Sequence, residues 1–189
     1  MRVFIRLGTL PLAILVTLSI VTPVAAGPGV AIPDAQVRRA GGAQVGDNIY
    51  NTDGAGQTVG GQKARRYHIG AVRWFYVYVY NDGSSGDDFT FGATETETLP
   101  NTARPTGSVP DPFHVQYFTP DGTDVTSSVD HGFFDSPILL PGEHYGIKVK
   151  VTVTPDAVHG SELDLLVNVR VNDTVIDIQD AVRIRMRRK

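Results

Sequence analysis

Four aromatic side chains at every second position are the most prominent candidate for binding chemistry in this sequence. They are Trp74, Tyr76, Tyr78 and Tyr80. Because successive side chains of a β-strand point to opposite faces, all four rings would lie on one face. Tyr and Trp combine an apolar ring with a polar group, so this row could bind sugar rings or a protein surface. The alternative is that another segment covers the rings, as is usual for large aromatic residues.

A second candidate is an acidic cluster in the glycine-rich turn that follows. It contains Asp82, Asp87 and Asp88. Ca²⁺ takes about six to eight oxygen ligands, and carboxylates on such a turn can supply several of them. The spacing is not that of an EF-hand loop, and Asp, Gly and Ser are also the usual residues of turns. Both interpretations, a calcium site and an ordinary solvated turn, stay open.

Catalytic motifs are absent from the sequence. The five histidines show no metal-binding spacing, there is no G-x-S-x-G motif, and there is no cysteine. We therefore expect a protein that is not an enzyme and that has no cofactor, calcium excepted. A hydrolase is the remote alternative, with Glu95, Glu97 or His114 in a cleft, because catalytic sites are defined by geometry that sequence does not show.

The C-terminal end is locally basic. Alternation would place Arg183, Arg185 and Arg187 on one exposed face. Such a patch could attract an anionic polymer. The alternative is an edge strand whose charges prevent pairing with other chains.

These residues must be positioned by strands, because the hydrophobic pattern has a period of two almost throughout. Phe75, Val77 and Val79 alternate with the aromatic row and are predicted to face the core. Similar alternation covers residues 147–154, 163–171 and 176–187, and residues 124–129 and 132–134 are predicted as one or two short strands. About eight short strands separated by turns predict an all-β, Ig-like antiparallel β-sandwich.

The domain organisation follows from composition. Residues 1–26 have the basic, apolar and small-residue regions of a signal peptide, so we expect a secreted, extracellular protein with no membrane span in the mature chain. Residues 27–43 are predicted to be a linker, and residues 44–189 the sandwich domain. A proline-rich insert is predicted at 95–112.

The charge balance argues against nucleic-acid binding. The chain has 17 basic and 20 acidic residues, and removal of Arg2 and Arg6 with the leader would leave a net charge of −5. Nucleic-acid-binding domains are instead basic overall.

An ordered series of strand ends and turns resembles a known family. The series consists of Val77-Tyr78-Val79-Tyr80-Asn81-Asp82-Gly83, Leu140-Pro141-Gly142-Glu143, the Val-rich run 147–154 and Ala157 to Gly160. It resembles the Ig-like modules of secreted bacterial proteins, of the NPCBM-associated and CARDB (cell-adhesion-related) kind. The resemblance implies a non-catalytic interaction or adhesion module, whose partner would be an unknown protein or a cell-surface polysaccharide. The alternative function is a carbohydrate-binding module that uses the aromatic row.

Overall fold

The structure is a computed structural model that describes residues 29–60, 65–98, 111–171 and 179–189, without the side chains of residues 65, 66, 97 and 98. The elements in chain order are β1 (Pro33–Arg39), β2 (Gln44–Val45), β3 (Thr58–Val59), β4 (Arg65–Tyr67), β5 (Val72–Asn81), β6 (Phe89–Thr98), β7 (Phe113–Phe118), α1 (Thr126–Asp130), β8 (Phe134–Asp135), β9 (His144–Val153), β10 (Glu162–Val171) and β11 (Gln179–Arg188).

The strands form two sheets. One is a five-stranded antiparallel sheet in the order β2-β1-β5-β9-β7. The other has the order β3-β11-β10-β6-β8, and β4 also pairs with β11; β3 and β4 run parallel to β11, and the remaining pairs are antiparallel. The prediction of an all-β sandwich is confirmed. No helix in the described part of the chain is long and apolar enough to cross a membrane.

The core lies between the two sheets and contains the side chains that alternation predicted. Phe75, Val77 and Val79 of β5 are buried, as are the inward residues of β9, β10 and β11. These are Ile147, Val149, Val151, Val153, Leu163, Leu165, Val167, Val169, Val182, Ile184 and Met186. Because β5 and β10 each have a partner strand along both edges, a one-residue slip would expose their whole apolar face.

The predicted linker at 27–43 was wrong. Residues 33–39 form β1, which pairs with β5 over its whole length, and the side chains of Ala35 and Val37 are fully buried. The glycines and prolines on either side of β1 gave residues 27–43 the composition of a linker. Within β1, Ala35 and Val37 alone gave little periodic signal. The first strand is therefore part of the core.

Four further predictions need correction or fall, wholly or in part, outside the described residues. Residues 126–130 form the short helix α1, with Val129 buried, where a strand was predicted. β6 continues to Thr98, so residues 95–98 are strand, whereas the proline-rich insert was predicted to begin at 95. Most of the predicted insert, residues 99–110, lies outside the described residues. The predicted signal peptide and the predicted turn at 172–174 lie outside them as well.

A buried carboxylate links the two sheets at one edge of the sandwich. Asp180, at the start of β11, accepts hydrogen bonds from the backbone N–H groups of Ala35 in β1 (2.6 Å), Asn51 (2.9 Å) and Ala181 (2.8 Å), and from Nε2 of Gln57 (3.0 Å). The side chain is completely buried. Burial raises the pKa of Asp180 above its ordinary value, while the backbone hydrogen bonds lower it.

Removing this carboxylate is predicted to destabilise the fold. Asp180→Ala would remove the side-chain acceptor of three backbone N–H groups, those of Ala35, Asn51 and Ala181, and one of the two acceptors of Gln57 Nε2, so the free energy of unfolding should fall by roughly 3 kcal/mol. Chemical denaturation monitored by circular dichroism measures this. Asp156→Ala, at an exposed position in a turn, is the matched control and should change stability by less than about 0.5 kcal/mol. Equal stability of the two variants would contradict the assigned role of Asp180.

Candidate functional site

The four predicted aromatic side chains lie together on the outer face of the five-stranded sheet, which we call the aromatic face. Pairing sets them in cross-strand rows. From one end to the other, the rows are Asp34–Tyr80–His144, Gln36–Tyr78–Gly146, Arg38–Tyr76–Lys148–Phe118 and Trp74–Lys150–Gln116. Directly opposed side chains are neighbours on one face of a sheet. The face therefore has a carboxylate at one end and cations at the other.

Arg38 is held by two of the tyrosines. Its guanidinium carbon lies 4.6 Å from the centroid of the Tyr76 ring and 5.6 Å from that of Tyr78. Its Nε and Nη2 groups donate to the Tyr78 hydroxyl at 3.2 and 2.9 Å. These contacts hold the guanidinium over the aromatic face, and such pre-ordering lowers the entropic cost of any binding that uses the group.

Tyr78 lies directly against the strand beside it. A Cβ atom built on Gly146 would meet Cδ1 of Tyr78 at 2.7 Å, so only glycine allows this ring position. His144 extends the aromatic surface, because its ring stacks on Tyr80 with centroids 4.8 Å apart and meets Tyr78 edge-on at 6.0 Å. Glycine inside a strand was the sequence signal for this close approach.

Trp74 and two lysines form the other end of the face. Trp74 is 36% exposed and packs against Phe118 with ring centroids 5.6 Å apart. Lys148 donates from Nζ to the carbonyl oxygen of Pro120 (2.6 Å), and Lys150 donates to Oε1 of Gln116 (3.0 Å). The tyrosines are half-buried. The aromatic row is thus neither a core element nor a bare platform, because neighbouring side chains cover part of each ring.

A shallow depression of about 300 Å³ lies in the middle of this face. Its walls include Tyr76, Tyr78, His144 and Lys148, and Pro120 closes one side. Depressions of this size with apolar walls and a few polar groups are typical of small-ligand sites. The arrangement can bind a ring-shaped group, and Lys148 can contact a polar or anionic substituent.

The acidic end of the face is partly buried. Asp34 accepts hydrogen bonds from Nε2 of Gln36 (2.5 Å) and from the backbone N–H of Asn48 (3.1 Å). Burial, with the charges of Asp82, Asp180 and Asp47, raises the pKa of Asp34 to about 6, although the hydrogen bond from Gln36 lowers it. An open pocket beside Tyr80 is lined by Asp34, Gln36, Gln44, Asp47 and Asp82.

The three aspartates considered for calcium have separate environments. Asp82 is exposed and accepts a hydrogen bond from the Tyr50 hydroxyl at 2.7 Å. Asp87 exchanges backbone hydrogen bonds with Leu139, and its side chain accepts from the N–H of Asp88. Among the described residues, no group of three or more acidic, histidine or cysteine side chains is arranged to hold a metal ion.

The residues considered for a hydrolase lie on different sheets, and their side chains point to different faces. His114 points outward from β7, between the buried Phe113 and Val115. Glu95 is opposite the buried Leu165 in β10, so it is on the inner side of the other sheet. Burial of its carboxyl, with the charges of Asp130 and Asp111, raises the pKa of Glu95 to about 7, although much of the residue is exposed. The structure does not bring His114 and Glu95 together, and the side chain of Glu97 lies outside the described residues.

Each arginine of the predicted C-terminal row is paired with an acidic neighbour. Arg183 and Arg185 both contact Oδ2 of Asp164, at 3.3 and 2.9 Å, and Arg187 contacts Glu162 at 3.2 Å. These cross-strand pairs use the register of β10 and β11. The basic run is therefore part of a charge-paired sheet surface. Sequence reasoning missed instead Arg38, His144, Lys148 and Lys150 as members of the aromatic face.

Comparison with known proteins shows only distant similarity. No family model matches the chain, and no curated protein matches it. Among solved structures, the FixG-related protein of Vibrio parahaemolyticus is 12% identical with a TM-score of 0.40, and the match covers 85% of this chain and 99% of that one. The N-terminal domain of PorA is 12% identical with a TM-score of 0.40 and coverages of 82% and 97%.

A family 123 glycoside hydrolase of Clostridium perfringens is 7% identical with a TM-score of 0.41. That match covers 84% of this chain and 27% of the hydrolase. The function therefore has to be inferred from the residues of the aromatic face.

The contact between Tyr78 and Gly146 gives a direct test of the geometry. Gly146→Ala should displace the Tyr78 ring and weaken its hydrogen bonds to Arg38, at a cost of about 1–2 kcal/mol in unfolding free energy. NMR measures this: the chemical shifts of the Tyr78 ring and of the Arg38 guanidinium should both change. Thr152→Ala, which also introduces alanine on the same face of β9, is the control and should leave the Tyr78 shifts unchanged. Unchanged Tyr78 shifts in Gly146→Ala would contradict the packing described.

The raised pKa of Asp34 predicts a pH dependence of stability. A carboxyl whose pKa is higher in the folded state contributes stability below its unfolded pKa, and this contribution is lost as the pH rises through about 6. The wild type should therefore gain on the order of 2 kcal/mol relative to Asp34→Asn when the pH falls from about 7 to about 4. Denaturation curves of both proteins across that range measure this difference. A constant difference would show that the Asp34 pKa is ordinary.

Proposed function

We propose that this protein is a secreted, non-enzymatic interaction module that binds a partner at a cell surface through its aromatic face. The observation that carries the proposal is the half-exposed row of four aromatic residues with Arg38 already ordered over it. Aromatic residues and arginine are the residue types most enriched at the energetic centres of interfaces. An adhesion role agrees with the Ig-like, CARDB-like modules that the sequence resembles.

The contrast between the two outer faces supports this choice of surface. On the six-stranded sheet, Arg183, Arg185 and Arg187 are used in ion pairs with neighbouring strands. On the aromatic face, the cations contact ring faces, a hydroxyl, a carbonyl and an amide oxygen. Donors held by neutral groups keep their positive charge available to a partner.

Carbohydrate binding is the second candidate function, and the depression of about 300 Å³ favours it. The rings of Tyr78 and His144 offer apolar surface to the C–H groups of a sugar, and Lys148 offers a donor to its oxygens. A protein partner would use the same side chains over a wider area. The two candidates differ in whether a soluble oligosaccharide competes for binding.

The proposal is tested by measuring how substitutions on the aromatic face change the affinity of the protein for cell-surface material. We expect the purified protein to co-sediment with an insoluble polysaccharide or cell-wall preparation, and the double variant Trp74→Ala, Tyr76→Ala to lose at least about tenfold in affinity. Phe133→Ala is the matched control, because Phe133 is an aromatic residue that is 74% exposed away from this face. Circular dichroism establishes that each variant is folded.

Retention of full binding by the folded double variant would refute the aromatic face as the binding surface. Trp74, the single tryptophan of the chain, gives an independent readout. Its fluorescence emission should shift to the blue, and its quenching by acrylamide should decrease, when the partner covers the face.

A further inference from the structure

We infer that the ligand of the aromatic face is an acidic polysaccharide, bound through the anionic groups of its sugars. This inference rests on the proposed function and names its ligand class. It starts from three cations on the same face of the sheet, Arg38 in β1 and Lys148 and Lys150 in β9, which lie in the two neighbouring rows that contain Tyr76 and Trp74.

None of these three cations forms an ion pair with any acidic side chain that the structure describes. Hydrogen bonds from Thr126 lower the pKa of Asp124, and the charges of His114 and Lys150 lower it further, so Asp124 balances part of the charge of Lys150 without forming an ion pair with it. The chain as a whole is acidic, with a net charge of −3. A local group of cations without ion-pair partners, in an acidic protein, favours an anionic ligand on this face.

Arg38 determines which kind of group binds best. Its guanidinium occupies one side of the Tyr76 ring, so a neutral sugar cannot stack on that side without displacing it. An anionic group is instead attracted to the guanidinium, whose remaining N–H groups form no hydrogen bond to the described part of the chain. A planar carboxylate, as in a uronic acid, matches the fork of the Arg38 guanidinium and is the anionic group we expect, while Lys148 is available to another polar or anionic group of the same polysaccharide.

The adjacent depression favours a sugar ring over an acidic peptide. It is walled by the rings of Tyr76, Tyr78 and His144, and Lys148 lies at its margin. These walls match the apolar face of a ring whose substituents carry the charge. An acidic peptide side chain is flexible and offers no comparable apolar ring surface.

Negative charge at the other end limits the binding region. Asp34, Asp47 and Asp82 surround the pocket beside Tyr80 and would repel an anionic chain. The bound polymer is therefore expected to lie over Tyr78, Tyr76 and Trp74, and to stop before Tyr80. Asp47→Asn, at an exposed position, should leave binding unchanged or strengthen it.

The experiment compares polymers that differ in one property. The purified protein is titrated with polygalacturonate and with alginate, then with fully methyl-esterified polygalacturonate, which keeps the sugar chain but removes the charge, and with poly-L-glutamate, which keeps the charge but removes the sugar. Trp74 fluorescence reports binding. We expect binding to at least one uronic acid polymer, weaker at high salt, and little binding to the esterified polymer or the polypeptide.

Single-charge variants then locate the site. Lys148→Gln and Arg38→Gln should each reduce the affinity at least about fivefold, with a smaller dependence on salt. Arg170→Gln is the matched control, because it removes the same charge from an exposed position on the other sheet and should change affinity less than about twofold.

Every other result overturns the inference in a defined way. Equal binding of the esterified polymer would show that charge is not recognised, and equal binding of poly-L-glutamate would indicate an acidic protein partner. Binding to neither uronic acid polymer would reject this ligand class. In all three cases, the proposed function survives if the Trp74→Ala, Tyr76→Ala variant still loses binding to cell-surface material, and it fails if that variant binds normally.

Discussion

The structure depends on the alternation of side chains along β5, which is paired on both edges. β1 and β9 hold its backbone in register from Val72 to Asn81, so neither face of the strand can change without breaking two ladders. Burial of Phe75, Val77 and Val79 fixes which face is inward. The same constraint places Trp74, Tyr76, Tyr78 and Tyr80 outward, at positions that the hydrophobic core sets even though these rings contribute little to it.

The outer faces of the two sheets differ in how their cations are paired. On the six-stranded sheet, Asp164 and Glu162 pair with the arginines of β11 across the strand register. On the aromatic face, Arg38 contacts tyrosine rings and a hydroxyl, which hold it in place without neutralising it. The buried Asp180 network matters here as well, since it fixes β1, the strand that carries Arg38, to the opposite sheet. The position of β1, and with it that of Arg38 on the aromatic face, is thus supported by a buried carboxylate of the opposite sheet.

The sequence allowed prediction of the features that are set by local periodicity. Alternation in β5, β9, β10 and β11 was strong enough to identify the fold class, the core residues and the shared face of the four aromatic residues. Alternation could not identify β1, because Ala35 and Val37 are the only aliphatic residues of this seven-residue strand that are buried. Two such residues give too weak a periodic signal. It also could not reveal Arg38, His144 and Lys148 as neighbours of the tyrosines, since pairing between β1, β5 and β9 joins residues about 40 to 70 positions apart, and local propensity carries no register information. The arginines near the C-terminus were visible in the sequence because they lie close together on one strand, whereas their ion-pair partners, Asp164 and Glu162, lie on another strand and were not foreseen.

At its Trp74 end, the aromatic face is accessible and positively charged, and the single tryptophan of the chain allows both properties to be measured without a ligand. Quenching of Trp74 fluorescence by iodide, by caesium and by neutral acrylamide compares the access of an anion, a cation and an uncharged molecule to one ring. We predict that, when each is normalised to acrylamide, iodide quenches Trp74 more efficiently than caesium. Because Lys150 lies opposite Trp74, Lys150→Gln should reduce this preference for the anion. Equal quenching by the two ions, or stronger quenching by caesium, would contradict a cationic aromatic face, and the absence of quenching by all three would show that the face is covered.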